Sequence, residues 1–103
     1  MEPLSRVTTA TIDVLSVLLA ESTATWGLRV VAESGRPAGT VYPILERLER
    51  LGWVASEWEA ETARSGPRRR LYSFTADGAA AAQSAVASHR RRATGPSARG
   101  ALA

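Results

Sequence analysis

A chain of 103 residues, 45% hydrophobic and 22% charged with a net charge of +3, has the composition of one ordinary globular domain with a modest core. It has no cysteine and one histidine, His89, which excludes disulfides and argues against any metal site; no cofactor is expected. No apolar run reaches the roughly 20 residues that span a bilayer, and the start lacks the basic region and apolar stretch of a signal peptide, so a cytoplasmic location is expected.

Met1 to Ser5 reads as a loose start. A first helix is predicted from about Thr8 to Ala20, with Ile12, Leu15 and Leu19 as one stripe and Ala10, Val14, Val17 and Leu18 widening it nearly all round. A helix apolar on most faces needs burial on more than one side, and in so short a chain the second neighbour could be another copy. Glu21 to Thr25 is a polar break, with Thr23 or Thr25 as candidate N-caps. Trp26 to Ser34 reads as a second helix, stopped by Gly35 and Arg36-Pro37.

The third helix has the clearest period: Val41, Ile44, Leu45, Leu48 and Leu51 fall on one face. Pro43 is tolerable if the helix begins near Gly39 or Thr40. The other face carries Pro43, Glu46 and Arg50, flanked by Tyr42 and Arg47, with Glu46 and Arg50 spaced as an ion pair. Gly52 closes the helix.

Trp53 to Glu59 and Arg69 to Phe74 alternate as two strands of a hairpin, joined by a polar loop from Ala60 to Pro67. Charge is most uneven here. Glu57, Glu59 and Glu61 precede Arg64, Arg68, Arg69 and Arg70, whereas residues 1–52 nearly balance at five arginines against six acids. Thr75 then caps a helix from Ala76 to about Arg92, with Asp77 near its positive end. Arg90-Arg91-Arg92 suits its C-terminal end.

The order helix, helix, helix, hairpin, helix is that of a winged helix-turn-helix, a mainly α fold with a small β-hairpin (α+β). The expected organisation is a winged helix-turn-helix DNA-binding domain over residues 1–75, a C-terminal dimerisation helix over 76–92 and a disordered tail over 93–103.

The sequence resembles the PadR-like transcriptional regulators over about residues 8 to 90. The resemblance rests on Trp26-Gly27-Leu28, on Gly39-Thr40-Val41-Tyr42-Pro43 followed by Leu45, Arg47-Leu48-Glu49 and Gly52, on Glu57-Trp58-Glu59, on Gly66-Pro67-Arg68-Arg69-Arg70 leading into Tyr72, and on Thr75-Ala76-Asp77-Gly78. The family's wing commonly reads Gly-Arg-Pro-Arg-Lys before two tyrosines; here proline and arginine trade places, and Leu71 replaces the first tyrosine. The single helix after Gly78 is similar to the short branch of the family. That branch implies a homodimer packed through its first and last helices, acting as a repressor released by a small-molecule effector. The interface would use Ile12, Leu15, Leu19, Ala79, Ala82, Gln83 and Val86.

Each candidate contact has a plainer alternative. Thr40 and Tyr42, in the first turn of the third helix, suit phosphate oxygens; otherwise Thr40 caps the helix and Tyr42 packs on the wing. Pro43 could meet a thymine methyl or only set the helix start. Arg47 and Arg50 could read guanine or bind phosphate, or lie solvated beside Glu46 and Glu49. Arg64, Arg68, Arg69 and Arg70 form a cluster at the tip of a wing, where phosphate contact is expected against a merely solvated loop. Trp26, Trp53 and Trp58 are expected in the core rather than in a ligand cage. No aromatic follows Phe74, so the last helix cannot stack a planar effector.

The expected partners are therefore duplex DNA, a second copy and an unidentified small-molecule effector, with no membrane. The competing class is a winged-helix protein-interaction module that does not bind DNA. An enzyme is not expected, because the chain offers no phosphate loop and no nucleophile with its base.

Overall fold

The computed structural model describes residues 1–60 and 66–93. Its elements are α1 (Thr9–Ala20), β1 (Thr25–Trp26), α2 (Gly27–Ser34), α3 (Ala38–Arg50), β2 (Val54–Trp58), β3 (Arg70–Phe74) and α4 (Ala76–Ala93). Four helices thus surround a small antiparallel sheet of order β1-β3-β2. The hairpin pairs Val54 with Phe74 and Trp58 with Arg70. It also gains a third strand that the sequence reading missed: Thr25 pairs with Tyr72 and Trp26 with Leu71.

α1 begins where the Thr8 hydroxyl accepts the Thr11 N–H at 3.1 Å. Its nearly all-round apolar character follows from its place at the centre, touching α2 and α3 as well as α4. Val14 and Leu15 are fully buried together with Val30, Val41, Leu45, Leu48 and Ala82 in one core. The second neighbour that α1 requires is thus supplied by α4 of the same chain.

α2 starts one residue later than expected. Trp26, not Thr23 or Thr25, is its N-cap, and it makes no side-chain cap bond. Thr25 instead sits in β1, its hydroxyl buried without a hydrogen-bond partner among the described residues. Gly35 ends α2 at φ 72°, a left-handed backbone that glycine adopts without steric cost. The following turn is tied to α1 by Arg36 Nε donating to Asp13 at 2.8 Å. α3 opens at Ala38 behind Pro37, and Pro43 lies inside it. A proline there has no N–H for the Gly39 carbonyl, and its ring would crowd residue 39.

The chain start is anchored rather than loose. Glu2 N–H donates to the Leu51 carbonyl at 2.8 Å, and the Glu2 carbonyl accepts Trp53 Nε1–H at 2.7 Å. Trp53, 5% exposed, roots the hairpin in the core. The same residue docks α4. Thr75 N–H donates to the Trp53 carbonyl at 3.0 Å, the Thr75 hydroxyl reaches the Gly52 carbonyl at 2.9 Å, and Gly78 N–H donates to that hydroxyl at 3.0 Å. α4 runs to Ala93, one residue into the segment expected as a tail; the rest of that segment, 94–103, lies outside the described residues. Among the described residues no helix is long and apolar enough to cross a membrane.

Candidate nucleic-acid interface

The three-stranded sheet brings the start of α2, the first turns of α3 and the base of the wing around one groove. The groove has a volume of about 350 Å³, and Trp26, Leu28, Tyr42, Arg68, Arg69 and Tyr72 are among its lining residues. Tyr42 reaches it by lying directly over Gly27: a Cβ on residue 27 would come within 2.4 Å of Tyr42 Cε1. The aromatic-glycine pair and the tyrosine of the α3 motif, fifteen positions apart in the chain, are therefore two halves of one contact. Tyr72 forms the buried wall, and burial pushes its phenol above the ordinary tyrosine value.

The wing arginines, expected to act alike, are held differently. Arg68 is exposed at the groove mouth. The Arg69 guanidinium lies 4.0 Å from the centroid of the Trp26 ring. Arg70 is turned toward α3, its Nη2 3.6 Å from Glu49 Oε2, with its guanidinium 5.3 Å from the Trp58 ring. Glu49 also accepts the Ser56 hydroxyl, so one carboxylate ties α3 to both β2 and β3. Arg64 lies outside the described residues. The tryptophans divide too. Only Trp53 is a core residue; Trp26 is half-buried against the groove, and Trp58 is 61% exposed on the wing.

On α3, Pro43, Glu46 and Arg50 are exposed, while Thr40, Tyr42 and Arg47 are half-buried. Thr40 is not the cap; it lies within the first turn, its N–H donating to the Pro37 carbonyl at 2.9 Å. The ion pair expected between Glu46 and Arg50 is not formed, and among the described residues neither Arg47 nor Arg50 meets a carboxylate. Arg50 is thus exposed and Arg47 half-buried, both without a carboxylate partner among the described residues, while Glu49 is engaged with the wing. The motifs of the sequence include both Glu49 and Trp26 but do not announce their partners, because those contacts depend on sheet pairing.

Of the residues expected at a dimer interface, Ile12, Leu15, Ala82 and Val86 are buried within this chain's own α1–α4 packing. Leu19 and Ala79 are half-buried and Gln83 is exposed, which leaves these three with surface for a second copy.

Comparison with known proteins agrees with this architecture. A family model described as the transcriptional regulator PadR-like family matches residues 14–84, well over half the chain. Among solved structures, a PadR-like transcription factor from Bacteroides fragilis superposes with a TM-score of 0.61 at 23% identity, over 79% of this chain and 80% of that one. A putative DNA-binding protein from Ralstonia eutropha JMP134 gives 0.57 at 25% identity, over 77% and 96%. ZitR, a zinc-responsive MarR family member from Lactococcus lactis, gives 0.65 at 20% identity, over 87% of this chain and 58% of that one. No match was found among curated proteins.

Proposed function

The chain belongs to the PadR-like family of transcriptional regulators, and on that premise we propose that it binds duplex DNA as a homodimer, with α3 in the major groove and the wing on the flanking backbone. The observation that carries this reading is the groove itself. The exposed Arg68, the stacked Arg69 and the Tyr42 ring converge at the junction of α3 and the wing, where a winged helix meets phosphate. Arg47 and Arg50, unpaired on α3 among the described residues, are the base-reading candidates. Pro43 and Thr40 stand beside them on the same helix.

The second copy packs along the outer faces of α1 and α4, through Leu19, Ala79 and Gln83 and the small residues between them. The regulator acts as a repressor in the cytoplasm, and release by a small molecule fits the resemblance. A dimer with two recognition helices reads an inverted repeat whose half-sites lie about 34–36 Å apart, or a multiple of that spacing. Light scattering at micromolar concentration and hydroxyl-radical footprinting on a selected operator test this together. The expected result is a dimer that protects two symmetric half-sites. A monomer that protects one asymmetric site contradicts the dimeric reading.

Glu49 supplies a finer expectation. Glu49→Gln keeps an acceptor for Ser56 but removes the charge that holds Arg70. Released Arg70 can turn to phosphate, so binding to random-sequence duplex should tighten roughly three- to ten-fold, and the salt slope should steepen by about 0.9 for each arginine freed. An unchanged slope in a salt titration would mean that Glu49 does not restrain Arg70.

A further inference from the structure

Trp26 lines this groove although it carries no charge and lies outside α3. It is half-buried, it caps α2 without a side-chain cap bond, and it forms β1 with Thr25. The pairing of Trp26 with Leu71 places the indole one diagonal step from Arg69, the residue just before β3. There the guanidinium lies 4.0 Å from the ring centroid, close enough for a cation–π contact. A guanidinium stacked on a ring keeps N–H donors at its edge for an anion. Among the described residues the Arg69 guanidinium forms no ion pair, although its backbone N–H donates to Glu59 Oε1 at 3.4 Å, whereas the guanidinium of Arg70 pairs with Glu49.

We propose that Trp26 is a positioning residue of the DNA contact, holding Arg69 on its indole so that the guanidinium meets a backbone phosphate already oriented at the groove. An arginine on a free wing must lose rotamer freedom when it binds, and one resting on an indole has lost part of that freedom beforehand. The short strand β1 has the same consequence at the level of the fold. It fixes the wing base to the start of α2, so that wing and recognition helix share one frame. The inference rests on the DNA-binding reading above and adds to it a device that sets the aim of one wing arginine.

The test is a double-mutant cycle read by salt titration on random-sequence duplex, with Trp26→Leu, Trp26→Phe, Arg69→Ala and the Trp26→Leu/Arg69→Ala double variant, each checked for a native thermal transition. Trp26→Leu should weaken binding by roughly three- to ten-fold, and Trp26→Phe should recover most of that loss because a phenyl ring still offers a π face. The double variant should bind no more weakly than Arg69→Ala alone, since each removes the same contact. Folded Trp26→Leu with wild-type affinity, or two losses that multiply, overturns the proposal while leaving DNA binding intact. A wild-type protein that shows no salt-dependent binding overturns the DNA-binding reading itself, and the two failures are thereby distinct.

Discussion

Gly78→Ala is expected to unfold the chain or lower its melting temperature by tens of degrees. An alanine Cβ at this position would lie 1.8 Å from the Trp53 carbonyl oxygen and 2.6 Å from its carbon. Those are backbone atoms, and the carbonyl is held by Thr75 N–H, so neither side can yield without breaking the junction of α4 and the hairpin. Overpacking against a fixed partner costs up to about 3 kcal/mol and occasionally more. For a domain of this size each kcal/mol is about 4–8 °C, which puts the expected fall at roughly 12–25 °C. Gly39→Ala is the control. Nothing lies within 4 Å of a Cβ there, and residue 39 is helical, so alanine should leave stability unchanged or raise it by about 0.5–1 kcal/mol. Calorimetry on the two variants checks both signs, and a mild loss for Gly78→Ala would mean that α4 does not seat on Trp53.

The second large effect is on affinity. Arg68→Ala/Arg69→Ala removes two of the three arginines that line the groove while leaving the third, Arg70, on Glu49. If each meets a phosphate, a dimer loses about four contacts, and the slope of log K against log salt flattens by about 3.6. With charged hydrogen bonds lost, affinity should fall by at least about 100-fold for operator and random duplex alike, because phosphate contacts carry no sequence information. Arg70→Ala should cost less, since that arginine is already committed to Glu49 and Trp58. Loss confined to the operator would instead make the wing a reader of bases.

The parts of this molecule that were legible in the sequence are those fixed by local chemistry. The apolar face of α3 follows its period through Val41, Ile44, Leu45 and Leu48 to burial, and Gly35 and Thr75 stop and start helices as their residue types dictate. What escaped reading depends on tertiary pairing. A strand of two residues, Thr25 and Trp26, has no period to detect and was absorbed into the preceding loop and the following helix. Once it pairs with β3, Trp26 leaves the core and becomes the platform of Arg69, a contact no spacing announces. Glu49 reads in the sequence as a partner for the α3 arginines on a solvated helix face, while Ser56 and Arg70 are brought to it by the hairpin. The anchoring of Glu2 likewise depends on where the Trp53 indole points. The arginine cluster is legible as a cluster, but the restraint of Arg70 by Glu49 and the seating of Arg69 on Trp26 are not.

The central claim is that the groove between α3 and the wing engages the phosphate backbone of duplex DNA. Its most direct test is the equilibrium affinity of the wild-type protein for a random-sequence duplex, measured across a range of salt concentrations. Binding should weaken linearly in log K against log salt, with a slope of about −3.6 or steeper for a dimer using Arg68 and Arg69 on both copies. No binding at low salt, or binding with a slope near zero, would contradict it.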